Sequence, residues 1–252
     1  MKLKVRNDDI PFATNIKNVK VPPQLRNKVK TGLPYFDVVL GGQGITPSMV
    51  TLFTGTPGAG KTTMMLALAE QLTRNGAKVV FNTAEESLHQ IKLVTERLNI
   101  STGFMVGQET HVPTLLERCD KLRNKRGFKK APFILIVDSL QCMNDGKYGM
   151  GTNSRTSERV LQQITDWTKS NYTMAIVIGQ VTKGGEMAGR NRLKHMVDAM
   201  LHLGIETKDQ DLAGCRILEA KKNRFGGCGT QIYLDLVPSG FHEVARVSAH
   251  TV

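Results

Sequence analysis

One string limits what this chain can fold into more than any other: Gly55-Thr56-Pro57-Gly58-Ala59-Gly60-Lys61-Thr62, with Thr63 behind it. It has the form G-x-x-x-x-G-K followed by Thr. Glycines at these places let successive backbone N–H groups curl around an anion. Lys61 supplies a point charge to the β- and γ-phosphates of a nucleotide, and the Thr62 hydroxyl is placed to ligate Mg²⁺. The flanks supply the context the motif needs. A β-rich apolar run over 49–54 precedes it, and Met64, Met65, Leu68 and Leu72 follow at helical spacing. A helix that opens at Lys61 points its positive dipole end at the phosphates. The residues Gly55 to Thr63 are therefore expected to bind ATP, with Mg²⁺ as its companion.

The rest of the chain reads as an α/β domain. Residues 33–40 form a short helix closed by Gly41-Gly42, and the helix that opens at Lys61 ends at Asn75-Gly76. Strands are expected at 78–82, 133–138 and 173–179. Helices are expected at 87–98, 113–123 and 157–170. Strands alone follow, at 199–204, 215–222 and 231–236. Alternating strands and helices imply a mostly parallel central sheet flanked by helices. The later strands imply antiparallel additions at the C-terminal edge of that sheet. Residues 1–29 differ in character. They are rich in Lys, Arg, Asn and Pro and show no helical or strand period, so they read as a basic N-terminal arm before a domain at 30–247 and a short tail at 248–252.

Three acids qualify for chemistry. Asp138 ends the apolar run Phe133-Ile134-Leu135-Ile136-Val137, at the carboxyl edge where open α/β sheets bind ligands and where such folds support Mg²⁺. Glu85 and Glu86 follow the strand at 78–82 and reach the same edge. One of them could position and deprotonate the attacking water. Two surface acids at the start of the next helix are the plainer reading, and the residues themselves do not choose between the two glutamates.

Composition excludes some classes and opens one. The four cysteines, Cys119, Cys142, Cys215 and Cys228, form no C-x-x-C pair, which argues against a zinc site or a disulfide framework and for reduced thiols in the cytoplasm. The apolar runs are too short to span a bilayer, and the charged first residues are not followed by an apolar stretch, so no membrane segment or leader is expected. A net charge of +12 attracts polyanions, of which nucleic acid is the obvious one.

Several further strings belong together. They are Lys30-Thr31-Gly32-Leu33-Pro34-Tyr35-Phe36-Asp37, Glu85-Glu86-Ser87-Leu88-His89-Gln90, Val137-Asp138-Ser139-Leu140-Gln141, Gln180-Val181-Thr182-Lys183-Gly184-Gly185, His195-Met196-Val197-Asp198 and Lys222-Asn223-Arg224-Phe225-Gly226. In this order they resemble the ATPase core of the bacterial RadA (Sms) DNA-repair proteins, a branch of the RecA-like and DnaB-like P-loop ATPases, over about residues 29–244. The resemblance implies a RecA-like fold and a DNA-stimulated ATPase motor on single-stranded or branched DNA in recombination, repair or replication. It places Glu85 as the glutamate that activates water and Gln180 as the residue that senses the γ-phosphate. Lys222 and Arg224 match a pair that reaches into the neighbouring subunit's nucleotide, which implies a homo-oligomer, with a hexameric ring the expected form. Two Gly- and cation-rich segments match DNA-facing loops: 143–157, with Lys147 and Arg155, and 182–194, with Lys183, Arg190, Arg192 and Lys194. A recombinase is among the implied partners. The sequence also departs from the family. The residues before the core hold no cysteine for the family's zinc finger, no Lon-type domain is expected after the core, and Gln180 stands where the family usually has His. A DnaB-like helicase, an ATP-gated single-strand binding or annealing protein with weak hydrolysis, and a KaiC-like signalling ATPase are the alternative readings.

Overall fold

The computed structural model describes residues 10–147, 153–180 and 190–248. Among these, nine strands form one sheet. The elements run α1 (Pro34–Val39), β1 (Val50–Gly55), α2 (Lys61–Arg74), β2 (Lys78–Thr83), α3 (Leu88–Arg97), β3 (Met105–Gly107), α4 (Val112–Arg123) and β4 (Phe133–Asp138). They continue with α5 (Ser154–Ser170), β5 (Met174–Gln180), α6 (Arg190–Met196), β6 (Ala199–Ile205), β7 (Arg216–Asn223), β8 (Thr230–Val237) and β9 (Gly240–Ser248). The spatial order is β9-β8-β7-β6-β1-β5-β4-β2-β3. From β6 to β3 every pairing is parallel, and from β6 to β9 every pairing is antiparallel. The expected architecture is therefore the observed one.

Alternation along the strands explains why the sheet is covered on both faces. Phe53, Ile134, Ile136, Ile176 and Ile178 join one core with α1, α2 and α3. Their neighbours Leu52, Leu135, Val137, Ala175 and Val177 join a second core with α4 and α5. Every residue of β1 and of β4 is buried, as expected of strands with helices on both sides. Each such aliphatic or aromatic side chain contributes about 1.5–3 kcal/mol by leaving water. β9 instead has mostly exposed residues after Gly240, as an edge strand should.

The structure changes several expectations. The helix expected at 157–170 begins at Ser154, because the Asn153 side chain accepts from the Thr156 N–H at 2.9 Å and caps it there. The segment 182–194, read as a loop, is in its last part the helix α6, in which Leu193 is buried. β3 and β9 were not expected at all. β3 is three residues long and β9 alternates weakly, so neither carries much periodicity. In the basic arm, residues Ile16–Asn18 and Pro23–Leu25 form single 3₁₀ turns, and Val29 and Ile45 exchange backbone hydrogen bonds of 2.8 Å at the arm's end.

Candidate nucleotide site

β1 delivers Gly55 to the carboxyl edge of the sheet, and α2 leaves from Lys61. Gly60 is the N-cap of α2, with φ of 97° and no side chain to cap the helix. The first-turn N–H groups thus have no side-chain acceptor of the usual kind, which is the condition for receiving an anion. Gly60 also has no room for a larger residue. A Cβ there would come within 2.9 Å of the Phe241 ring and 3.1 Å of Leu236. The β8–β9 hairpin, far away in sequence, presses against the phosphate loop.

A cavity of about 530 Å³ opens over this loop. Pro57, Gly58, Gly60, Lys61, Thr62 and Thr63 line one side. Glu85, Glu86, Asp138 and Gln180 line the other, with Ile178 and Leu236 completing the wall. The Lys61 ammonium donates to the carbonyls of Gly55 and Thr56, both at 3.1 Å. Burial pushes its pKa down, against the pull of Asp138 and Glu85. The Thr62 hydroxyl donates to Asp138 Oδ2 at 2.7 Å. Burial pushes the Asp138 carboxyl up to about 6, with Glu85 and Glu86 adding to the rise, while the Thr62 hydrogen bond and Lys61 oppose it. A hydroxyl and a carboxylate in contact are hard oxygen donors of the kind Mg²⁺ takes. The residues present fit the ion.

The structure separates the two glutamates that the sequence left open. Glu85 Oε2 accepts from Gln180 Nε2 at 2.7 Å and from the Ser139 hydroxyl at 3.2 Å. Gln180 is held in turn by Gln141, whose Oε1 accepts from the Gln180 N–H at 3.1 Å. Glu86 lines the cavity too; its backbone carbonyl accepts from the Thr83 hydroxyl at 2.8 Å, which closes the turn and leaves its carboxylate beside the site. Neither Ser139 nor Gln141 was singled out from the sequence, although both stand directly after the strand-end Asp138.

Lys222 and Arg224 lie elsewhere. Their end of β7 pairs with the start of β6, Ala199 opposite Asn223. That is the amino end of the parallel strands, about 17 Å from the phosphate loop by the rise of β1. Lys222 Nζ donates to the carbonyls of Lys194 and Val197 at 2.7 and 2.6 Å, and so holds the C-terminal end of α6. Arg224 pairs with Asp198 at 3.3 Å. Asp198 is 2% exposed and also binds Lys169 at 2.8 Å and the Val50 N–H at 3.0 Å. The turn after Arg224 packs backbone to backbone, since a Cβ on Gly226 would meet the Leu40 carbonyl at 2.7 Å.

Of the expected DNA-facing cations, Arg155 is exposed in the first turn of α5. Lys147 closes the described part of its segment. Arg192 is exposed and pairs with Glu158 at 3.3 Å, and Lys194 is half-buried near the end of α6. Lys183 and the Arg190 side chain lie outside the described residues. The four cysteines are free thiols, and among the described residues no group of His, Cys, Asp and Glu could hold a metal as a cluster. No helix of the described residues is long and apolar enough to cross a membrane.

Comparison with known proteins agrees with this geometry. The family model described as ATPase: KaiC matches residues 29–105. The DNA repair protein RadA of Streptococcus pneumoniae is 33% identical over 88% of this chain and 50% of its own length. RadA of Listeria monocytogenes is 33% identical over 91% of this chain and 48% of its own. The chain thus spans about half the length of the curated relatives it matches. Among solved structures, an ATPase domain superposes with a TM-score of 0.73 at 14% identity, covering 87% of this chain and 92% of that one. A KaiC-like protein from Pyrococcus horikoshii OT3 superposes at 0.68 with 17% identity, covering 87% and 99%. Sheet order, phosphate loop and one-third identity over most of its length make this chain a P-loop ATPase core of the RadA type.

Proposed function

We propose that the chain hydrolyses ATP and uses the free energy to move along, or remodel, single-stranded or branched DNA in repair and recombination. The observation that carries this reading is the pairing of two contacts across one cavity, Thr62 with Asp138 and Glu85 with Gln180. One holds phosphate and metal, and the other positions a base.

In this reading the α2 N-terminus and Lys61 bind the phosphates, and Thr62 and Asp138 hold Mg²⁺. The ion, when bound, neutralises charge on the phosphate oxygens. Glu85 orients the attacking water and accepts its proton, and the Gln180 amide keeps the carboxylate turned toward the cavity. Gln180 is the last residue of β5, so a change in its bond to Glu85 is passed to the segment that carries Lys183, Arg190, Arg192 and Lys194. Those cations, with Lys147 and Arg155, track the phosphate backbone of the DNA. Lys222 and Arg224 are too far from their own phosphate loop, so they act on a neighbour's nucleotide, where trans cations give ~10³–10⁵ in rate. That requires a ring or filament, with a hexamer the expected form. A recombinase is the expected partner, and the cytoplasm the place of action.

ATP turnover with and without single-stranded DNA tests this. Lys61→Ala is expected to abolish turnover, and Glu85→Gln to lower kcat at least ~10²-fold while nucleotide still binds. Full turnover by Lys61→Ala would sink the reading. The KaiC match favours a signalling ATPase as the second reading, and turnover indifferent to DNA with no salt-sensitive DNA binding would select it.

A further inference from the structure

A cavity of about 780 Å³ at the end of the sheet opposite the nucleotide is left without a role. Phe133 and Met174, the first residues of β4 and β5, stand in its wall, whereas Asp138 and Gln180, their last, line the nucleotide site. The two openings are therefore about 17–20 Å apart along the strands. Both candidate DNA loops follow strands that end at the nucleotide site, and none of their described residues lines this second cavity.

Its chemistry is one-sided. The arm contributes Gln24 and Asn27, the α4–β4 connection Asn124, Lys129 and Lys130, and the turn before β5 Asn171. Among the described residues no carboxylate lines it. The connection is part of the run Lys121-Leu122-Arg123-Asn124-Lys125-Arg126-Gly127-Phe128-Lys129-Lys130. Lys121 is neutralised by Glu117 at 2.6 Å and Arg123 by Asp120 at 3.1 Å. Lys125, Arg126, Lys129 and Lys130 are exposed, and among the described residues none has a carboxylate within ion-pair reach. Four unpaired cations so close together repel one another within a Debye length, and a polyanion relieves that repulsion.

Two aromatic rings line the same cleft. Tyr172 and Phe128 are both half-buried there, Phe128 packing on the core with Lys78 Nζ 5.5 Å from its ring and Tyr172 lining the cleft beside it. Arg123 stiffens the floor, lying 5.6 Å from the Trp167 ring and donating to the Asn171 carbonyl at 3.1 Å. A cationic groove with aromatic rings and side-chain amides is how proteins hold unpaired bases and their backbone. A duplex, its bases stacked inside, would use the charges and leave the rings idle.

We propose that the cleft between the N-terminal arm and the α4–β4 connection binds single-stranded nucleic acid, as a second site independent of the nucleotide-linked loops. Fluorescence anisotropy of the full chain with a labelled single strand of about 20 nucleotides, over a salt series, is the test. The variant K125Q/R126Q/K129Q/K130Q is expected to lose at least tenfold in affinity and to flatten the slope of log K against log salt by about 2–3, at ~0.7 per contact. Tyr172→Asn tolerates the φ of 53° found there and is expected to lose about fivefold or more with the slope unchanged. ATP turnover without DNA should stay the same in both variants. An unchanged slope in the fourfold variant overturns the proposal. Equal losses on single strand and duplex, with Tyr172→Asn neutral, overturn the single-strand assignment. The slope change is expected to persist in Lys61→Ala, so failure of the ATPase reading leaves this site standing, and failure of this site leaves the ATPase reading standing.

Discussion

Asp138 carries two opposed demands. It must be ionised to support a cation, yet burial holds its pKa up at about 6 against the ordinary 3.8. The folded chain therefore binds this proton more tightly than the unfolded chain does. The group's contribution to stability is full below pH 3.8 and is lost as pH rises through about 6. At pH 7, without nucleotide, the ionised carboxylate costs on the order of 2–3 kcal/mol. Asp138→Asn is expected to raise the melting temperature of the nucleotide-free chain at pH 7, with the gain vanishing below pH 4, while Mg²⁺-dependent nucleotide binding weakens. Thermal unfolding at several pH values checks the first part, and nucleotide titration with and without Mg²⁺ the second. The identity of Asp138 was legible from its place at the end of an apolar run. Its proton affinity was not, because that depends on Thr62, Glu85 and Glu86 being folded around it. Glu85 and Glu86 are adjacent in sequence, and it is the Gln180 side chain, brought there by folding, that bonds Glu85.

Elements meet at Asp198. This buried carboxylate ties the start of β1 through the Val50 N–H, the end of α5 through Lys169, and the residue after β7 through Arg224. The Arg224 N–H also donates to the Asp198 carbonyl at 3.0 Å. Asp198→Ala leaves the largely buried Lys169 ammonium without its carboxylate and is expected to cost about 3 kcal/mol or more, read from denaturant unfolding. If trans action of Arg224 is correct, the milder Asp198→Asn should also lower kcat for ATP more than it changes KM, because it loosens the arginine without touching the phosphate loop. The strands with long apolar runs and the helices with clear apolar spacing could all be read in advance. Helix α3 had a legible start, since Ser87 and Gln90 form a capping box. Helix α6 was not legible, because seven residues with only Leu193 and Met196 apolar are too short to show a helical period. The carbonyls at its C-terminal end are taken by Lys222, a residue more than twenty positions away.

For the whole molecule, the proposed action of Arg224 on a neighbour's nucleotide is tested by mixing variants. Lys61→Ala and Arg224→Ala chains, each expected to be inactive alone, should regain turnover when mixed. Random mixing into rings would leave roughly a quarter of the sites with an intact loop and an intact neighbouring arginine. A mixture as inactive as its components would show that Arg224 does not act across subunits. The phosphate loop, the strand-end aspartate and the parallel direction of the early strands could be read from the chain, because each is set by neighbours within a few residues or by apolar period. Folding alone brought Gln180 onto Glu85, closed Leu236 and Phe241 over Gly60, gathered two cations at Asp198, and opened a second cationic cleft at the far end of the sheet. Those features join residues tens to hundreds of positions apart, and contacts of that range leave no period or spacing in the chain for a reader to find.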